Sequence, residues 1–374
     1  MSFNIDQIEL YHVRLRLKSK FQTSFGEEQD RECLLIRLLS DGEQGWGECV
    51  AGAEPGYSYE TVGTAWHVLE SFFIPALYQN DVRSPEGLHQ ALRAYRGHPL
   101  AKAGLEMAIW DLQGRLRGES FAALIGGAAA RIPVGVSIGI QEKPEQMLER
   151  IAGYLAAGYR RIKIKIAPGA DLDVLEEVRN AYPDLRLWVD ANAAYSPDDS
   201  EIFKRLDTYQ LELIEQPLYN DDLVEHAALQ RTLSTDLCLD ESIHHLRDAR
   251  HAVELGSCRV INIKPGRVGG YLMACEIESF CRFKSVPVWC GGMLETGIGR
   301  AANLAIASRP GFSLPGDISA SDRYYENDIA IPAFTLNEDS TIDVPRGPGL
   351  GVEVDLEYLE KATLKTGVFR RNSL

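Results

Sequence analysis

The stretch RRIKIKIAPG, Arg160–Gly169, alternates strictly between isoleucine and a cationic residue. Because successive side chains of a β-strand point to opposite faces, the isoleucines share one face and the cations share the other. The two sets are Ile162, Ile164 and Ile166 against Arg161, Lys163 and Lys165. Lysines on an exposed edge strand would discourage edge-to-edge pairing. The alternative is a central strand whose isoleucines face covering helices and whose lysines point into a site that requires positive charge.

Strand-like and helix-like segments alternate on both sides of this stretch, from residue 131 to residue 326. The sequence predicts eight strands: IPVGVSIGI, RIKIKI, LRLWVDAN, LELIEQPL, DLCLDES, RVINIKPG, VPVWCGG and a shorter FSLPGDIS. Seven amphipathic helical patterns separate them, and several end at glycine. This alternation favours an α/β fold of the (β/α)7β type, a modified TIM barrel, over a doubly wound sheet, which more often has five or six strands.

The flanking regions have a different organisation. Residues 1–130 begin with three strand-like runs, IDQIELYHVRLRL, ECLLIRLLS and QGWGECV, and continue with helical patterns near residues 59–77, 85–95 and 100–117. Strands followed by helices predict a separate α+β domain. Residues 327–374 contain no further barrel unit, so we expect this segment to pack back on the first domain.

Composition limits the classes of partner. The formal net charge of −15 argues against nucleic acid and against an anionic membrane as the main partner. The seven cysteines are scattered without a C-x-x-C spacing, which is typical of a reducing compartment. The first 20 residues alternate like a strand, and no window resembles a membrane span. We therefore expect a cytoplasmic protein.

Charged residues end the middle strands of the predicted barrel at intervals of 24 or 25 residues, which is the length of one strand–helix unit. They are Lys165, Asp190, Glu215, Asp240 and Lys264. Each strand precedes its own helix, so these residues lie at the carboxyl ends of the strands, where barrel enzymes form their active sites. Three carboxylates flanked by two lysines are therefore expected to converge.

A single aspartate at a strand end usually serves a turn or a helix cap. Three converging carboxylates repel one another unless a cation holds them, and hard oxygen ligands suit Mg²⁺ or Mn²⁺. Such an ion would stabilise the charge that develops when the carbon next to a bound carboxylate loses its proton. The ion and Lys163 both disfavour another cation, so they favour the neutral, basic form of Lys165. Lys264 enters from the opposite wall. Arg267 either tunes Lys264 in the same way or, as the preferred interpretation, is a solvated surface residue.

Six motifs together resemble the enolase superfamily, in its muconate-lactonising subgroup, and most closely the o-succinylbenzoate synthase / N-succinylamino acid racemase family. They are KIKI, VDANAAY, IEQPL, LDESI, INIKPGRVGG and VWCGGMLETGIGRAANLAIAS. LAKAGLEMAIWDLQGRLRG and LPGDISASDRYYENDI extend the similarity to nearly the whole chain. The resemblance implies that the first domain caps the barrel.

The resemblance also implies roles for residues singled out above: Lys165 and Lys264 as the acid/base pair, and Asp190, Glu215 and Asp240 as Mg²⁺ ligands, with Mn²⁺ as a substitute. Lys163 would assist Lys165, and Asn192 would support the carboxylate held by the metal.

Substrate contacts are expected from two lid loops of the first domain, Lys18–Glu28 and Cys49–Glu60, and from the barrel mouth. The candidates are Phe21, Phe25 and Tyr57 in the loops, and Ser137 and Met293 in the barrel. The resemblance implies a small carboxylate substrate with a succinyl arm and a homo-oligomeric protein.

The expected activity is dehydration of 2-succinyl-6-hydroxy-2,4-cyclohexadiene-1-carboxylate in the menaquinone pathway, racemisation of N-succinylamino acids, or both. A dipeptide epimerase and a muconate cycloisomerase remain alternatives. The first of these would carry a D-x-D motif near the eighth strand, where this chain has Asp317-Ile318-Ser319. A mandelate-racemase-like enzyme would require a histidine base across the barrel, and every histidine of the chain falls on another element. A Schiff-base aldolase would leave the three acids unexplained, and a non-catalytic barrel would be expected to have lost at least one of these residues.

Overall fold

The computed structural model describes residues 3–24 and 26–371. Within them, the first domain is built on a four-stranded antiparallel sheet. In sheet order its strands are Thr363–Arg370, Gln7–Thr23, Gly26–Ser40 and Glu43–Cys49. The last strand of the chain therefore forms one edge of the sheet built by the first three.

Helices cover one face of this sheet. They are Val62–Val68, continued by a π-helical turn at Leu69–Phe73 and by Ile74–Gln79, then Pro85–Leu92 and Pro99–Arg117. The short helix Phe121–Leu124 instead contributes Phe121 and Ala122 to the core that contains the barrel. The helix Pro99–Arg117 lies directly against the strand Glu43–Cys49, because Gly45 and Gly47 have no side chain. A Cβ atom at either glycine would collide with the helix backbone at Ala108 or Gly104. The pattern GWGE thus specifies a close strand–helix contact.

A sheet of seven parallel strands forms the second domain, within the part of the chain that the structure describes. In order they are Val136–Ile138, Arg161–Lys165, Arg186–Asp190, Leu213–Glu215, Asp236–Leu239, Val260–Ile263 and Val288–Cys290. The helices between and after them are Pro144–Ala156, Leu172–Ala181, Ser200–Leu206, Val224–Gln230, Leu246–Leu255, Tyr271–Phe283 and Gly297–Ala307, with a short helix at Pro265–Val268. The predicted α/β barrel is confirmed.

Two predicted strands take a different form. The first, IPVGVSIGI, is divided: Arg131–Pro133 pairs with Thr341–Asp343 outside the barrel, and only Val136–Ile138 joins the barrel sheet. The eighth is an irregular extended segment that closes the ring by backbone hydrogen bonds on both sides. Asp317 N donates to Cys290 O (3.0 Å) in the seventh strand, and Gly135 N donates to Gly316 O (2.8 Å).

The alternating side chains of RRIKIKIAPG lie in two environments, the apolar core between strands and helices and the interior of the barrel. Ile162, Ile164 and Ile166 are buried in the main apolar core, together with residues of the surrounding helices. Arg161, Lys163 and Lys165 face the barrel interior, and all five residues of the strand Arg161–Lys165 are buried. The edge-strand interpretation is wrong, because this strand pairs on both sides.

Buried carboxylates of the first domain cap helices of the barrel. Glu48 accepts hydrogen bonds from the backbone N–H groups of Thr296 (3.1 Å) and Gly299 (2.9 Å), at the start of the seventh barrel helix. Glu106 accepts one from Tyr271 N (2.9 Å), at the start of the sixth. A carboxylate satisfies free N–H groups there and is favoured by the helix dipole. These contacts fix the first domain over the carboxyl ends of the barrel strands. Among the described residues, no helix is both long and apolar enough to cross a membrane.

Candidate active site

The structure brings together the charged residues that end the middle strands. Lys165 is paired in register with Asp190, and Asp190 with Glu215, on three adjacent strands. Asp240 and Lys264 follow the ends of the fifth and sixth strands, and all five residues are buried. Since the second and sixth strands lie four positions apart in a ring of eight segments, Lys165 and Lys264 approach the centre from opposite walls.

Lys163 and Lys165 contact the acids on their own side of the barrel. Lys165 Nζ donates to Asp190 Oδ2 (2.6 Å) and to Asn192 Oδ1 (2.6 Å). Lys163 Nζ lies 2.5 Å from Glu215 Oε2 and 3.0 Å from Asp190 Oδ2. Both lysines therefore share Asp190, and Asn192 fixes the ammonium group of Lys165 from a second side.

The opposite wall has its own network. Lys264 Nζ donates to Asp240 Oδ2 (2.7 Å) and lies 4.2 Å from the ring centroid of Tyr57. Tyr57 OH donates to Asp240 Oδ1 (3.0 Å), so the lid loop of the first domain contacts an acid of the barrel directly. A second lid contact is made by Ser24 Oγ, which donates to Asn192 O (3.1 Å).

Burial and charge shift the ionisation of these acids in opposite directions. Burial opposes the charge on Asp190, but Lys163 and Lys165 outweigh it and hold the pKa of Asp190 well below its usual range. Burial, reinforced by the charge of Asp190, raises the pKa of Glu215. Burial and Asp190 likewise raise the pKa of Glu241, which follows Asp240 in the sequence. The acids therefore compete for the available positive charge.

The carboxylate oxygens of Asp190, Glu215 and Asp240 are of the kind that bind a divalent cation, and all three side chains are buried. In the described ranges, no three acidic, histidine or cysteine side chains are grouped closely enough to enclose an ion, and each predicted ligand is paired with a lysine or arginine. Burial and the charge of Asp190 nevertheless oppose the ionised form of Glu215 and raise its pKa. Glu241 Oε2 is buried and accepts no hydrogen bond from the residues described. Additional positive charge supplied by Mg²⁺ or Mn²⁺, which prefer carboxylate oxygens, would satisfy both groups.

The predicted substrate contacts line one cavity of about 490 Å³ between the two domains, next to the three lysines. They are Phe21, Tyr57, Ser137, Asn192 and Met293. The ring of Phe21 packs edge-on against Tyr324, with the centroids 6.2 Å apart. Phe25, the remaining lid candidate, lies outside the described residues.

Arg267 corrects the sequence interpretation, because it is buried rather than solvated (4% exposed). Its guanidinium pairs with Asp240 and donates from Nε to Ile243 O (2.7 Å) and from Nη2 to Asn262 O (2.6 Å). Arg267 lies in the short helix Pro265–Val268, which begins directly after Lys264, and it is one of the buried residues of that helix. The sequence signal for a buried position was its place three residues after Lys264, at the end of a barrel strand.

Asp317 lies between two buried cations. The sequence pattern singles it out only as the first residue of an incomplete D-x-D motif. Its Oδ1 is 2.7 Å from Arg161 Nη1, and its Oδ2 is 2.7 Å from Lys163 Nζ. Arg161 in turn stacks on Trp188, with its guanidinium carbon 4.2 Å from the ring centroid. Asp317 therefore pairs with both buried cations, Arg161 and Lys163, and orients Lys163.

Asp317→Asn should lower the free energy of unfolding by about 3 kcal/mol or more, because it leaves two buried cations without their shared partner. Asp343→Asn is a matched control, since Asp343 forms a 2.8 Å pair with Arg131 on the surface. The control should change the free energy by less than about 1 kcal/mol. Urea unfolding of both variants measures the difference, and equal effects would contradict this role of Asp317.

Comparison with known proteins agrees with this architecture. The enolase C-terminal domain-like family model matches residues 146–359, and the mandelate racemase / muconate lactonizing enzyme N-terminal domain model matches residues 6–126. A solved structure of an enolase-superfamily member from Listeria innocua has a TM-score of 0.94 and 42% identity, covering 99% of this chain and 100% of that one. The fold and the strand-end residues thus define a capped barrel enzyme of the enolase superfamily, whose members use a divalent metal.

Two full-length relatives narrow the assignment. An o-succinylbenzoate synthase from Geobacillus kaustophilus is 48% identical over 374 residues, which is 100% of both chains. An N-succinylamino acid racemase from Thermus thermophilus is 46% identical over 360 residues, covering 96% of this chain and 97% of the relative. The chain belongs to the o-succinylbenzoate synthase / N-succinylamino acid racemase family.

Proposed function

We propose that the protein removes the proton next to the carboxylate of a substrate with a succinyl arm, and that it does so as an o-succinylbenzoate synthase, an N-succinylamino acid racemase, or both. The observation that carries the proposal is the placement of Lys165 and Lys264 on opposite walls of one cavity, with buried acids between them. Two bases on opposite sides of one carbon atom are what racemisation requires.

Asp190, Glu215 and Asp240 would hold Mg²⁺, for which Mn²⁺ can substitute. When bound, the ion supplies Lewis-acid stabilisation of the negative charge that develops on the substrate carboxylate. Lys163, whose ammonium group lies 2.5 Å from Glu215 and 2.7 Å from Asp317, places a positive charge beside Lys165.

The two reactions share the first proton transfer and differ afterwards. In racemisation, the lysine on one wall takes the α-proton, and the lysine on the other wall returns a proton to the opposite face. In the dehydration, one lysine takes the α-proton and returns a proton to the hydroxyl group of the neighbouring ring carbon, which leaves as water. The other lysine remains a cation. One arrangement of side chains therefore serves both reactions.

Dipeptide epimerisation and muconate cycloisomerisation are less well supported. Solved structures with those names are 23% and 22% identical to this chain, a level that establishes only the fold. The carboxylate of Asp317 is engaged by Arg161 and Lys163, and position 319 is a serine, so this end of the barrel offers no acid pair for a peptide amine.

Purified protein with Mg²⁺ should convert 2-succinyl-6-hydroxy-2,4-cyclohexadiene-1-carboxylate, the substrate of the menaquinone-pathway dehydration, and should racemise N-succinyl derivatives of apolar amino acids. Absorbance measures the first reaction, and polarimetry measures the second. Unblocked dipeptides and muconate should be poor substrates. Efficient turnover of dipeptides without any turnover of the cyclohexadiene carboxylate would contradict the proposal. We further propose that the protein acts in the cytoplasm and as a homo-oligomer.

A further inference from the structure

The cavity between the domains has positive charge at two separate places. Three of its lining cations, Lys163, Lys165 and Lys264, belong to the barrel. Among the described residues that line it, one further lysine or arginine is present, and this is Arg31. Arg31 lies on the strand Gly26–Ser40 of the capping domain. Positive charge is therefore available both at the barrel and on the capping domain.

The guanidinium of Arg31 is buried but incompletely used. The residue is 5% exposed, and its Nη2 donates to Val50 O (2.5 Å). Nη1 donates to Glu28 Oε1 at 3.3 Å, a long distance for a charged pair, and Nε has no hydrogen-bond partner among the residues described. Gly52 leaves space beside this group, since a Cβ atom there would lie 3.2 Å from Nη1.

An apolar wall links the two positive regions. Val50, whose carbonyl oxygen binds Arg31, converges with Leu100 and Met293 above Gly266. A Cβ atom at Gly266 would lie 2.9 Å from Val50 Cγ2 and 3.5 Å from Met293 Sδ. Gly266 is two residues from Lys264 along the chain. Val50, Leu100 and Met293 therefore line the same cavity as the three lysines and Arg31.

Acidic side chains complete the lining on the capping-domain side. They are Glu27, Glu28, Asp30, Glu54 and Glu60. A ligand with a second carboxylate at this end would be repelled unless a cation held it, and a buried arginine can bind a carboxylate with two parallel hydrogen bonds. The side chain of Glu28 is 32% exposed, so it can move aside into solvent when another carboxylate approaches.

We propose that Arg31 binds the distal carboxylate of the succinyl arm and thereby selects dicarboxylate substrates. The inference rests on the proposed function and adds the residue that recognises the arm. The first carboxylate lies at the acids and lysines of the barrel, the methylene groups contact Val50 and Met293, and the second carboxylate replaces Glu28 on Arg31.

The test compares two acyl groups on one amino acid. N-butanoyl and N-succinyl derivatives have the same chain length, and only the second has the distal carboxylate. The wild-type protein should have a higher kcat/KM for the N-succinyl substrate by about 10- to 100-fold. Arg31→Met should remove most of this preference, mainly through KM, while kcat/KM for the N-butanoyl substrate changes by less than about threefold.

Two further variants separate binding from folding. Arg16→Met is a matched control, because Arg16 belongs to the same domain and its side chain is 76% exposed. It should leave both kcat/KM values unchanged. Arg31→Lys keeps the charge without the paired donors and should retain part of the preference. If Arg31→Met does not fold, which circular dichroism would reveal, the wild-type preference and its decrease in Arg31→Lys decide the question.

The possible failures are distinguishable. Equal kcat/KM values for the two acyl groups in the wild-type protein, or an equal decrease for both in Arg31→Met, would overturn the role of Arg31 alone. Absence of turnover of both N-acyl substrates and of the cyclohexadiene carboxylate by the wild-type protein would overturn the proposed function, and this inference with it.

Discussion

Racemisation of N-succinylamino acids should fall by about 10³-fold when either Lys165 or Lys264 is replaced by alanine. Each lysine approaches the cavity from its own wall, and each is held there by a separate acid, at 2.6 Å from Asp190 and 2.7 Å from Asp240 respectively. Neither lysine can therefore take over the other's position. Polarimetry at saturating substrate measures the loss in kcat.

Lys204→Ala is a suitable control for these variants. Lys204 pairs with Glu201 on the surface, and its side chain is 57% exposed. This variant should racemise at the wild-type rate. Full activity in both Lys165→Ala and Lys264→Ala would show that other groups transfer the proton.

Removal of divalent metal should abolish turnover, and addition of Mg²⁺ or Mn²⁺ should restore it. Glu215→Gln should weaken metal binding while the protein stays folded, because the substitution removes one ligand charge without changing the volume. Its side chain is fully buried and accepts hydrogen bonds from Lys163 (2.5 Å) and Asn262 (2.8 Å). Titration calorimetry with Mg²⁺ measures the affinity, and activity after dialysis against EDTA measures the dependence.

Glu201→Gln provides the comparison for the metal experiment, since the side chain of Glu201 is 79% exposed. Its affinity for Mg²⁺ should equal that of the wild type. Undiminished activity in protein shown by elemental analysis to be free of metal would rule out the predicted metal site.

The sequence correctly predicted the site residues whose positions follow from the regular alternation of side chains along a strand. Lys165, Asp190 and Glu215 occupy equivalent positions on neighbouring strands, and the recurrence of one charged residue per strand–helix unit was enough to place them together. The direction of each side chain follows from the alternation within its strand. The order of strand and helix in each unit was enough to place this part of the site at the carboxyl ends of the strands.

Residues whose position depends on the path of a loop were missed or misinterpreted. Arg267 follows the sixth strand in the short helix Pro265–Val268, and its guanidinium is buried against Asp240. Asp317 reaches Arg161 and Lys163 from a segment far along the chain, at the point where the ring closes. Glu241 lies next to a predicted ligand, but its buried Oε2 becomes evident only when its neighbours are in place.

The first and eighth predicted strands of the barrel also differ from the prediction, because their pairing depends on distant segments of the chain. IPVGVSIGI alternates as one strand, but part of it pairs with the strand Thr341–Asp343, a partner more than 200 residues away that no local pattern predicts. FSLPGDIS contains Pro315 and Gly316, which interrupt regular strand pairing. Its contribution to the barrel is a set of backbone hydrogen bonds to both neighbouring segments.

Exchange of the α-proton in D₂O tests the two-lysine arrangement most directly. ¹H NMR would follow N-succinyl-L- and N-succinyl-D-amino acids with the wild-type protein, with Lys165→Ala and with Lys264→Ala. We predict that the wild type incorporates deuterium from either enantiomer, and that each variant exchanges one enantiomer only, opposite in the two variants, without racemisation. Racemisation in both variants, or wild-type turnover with complete retention of the α-proton, would contradict the account.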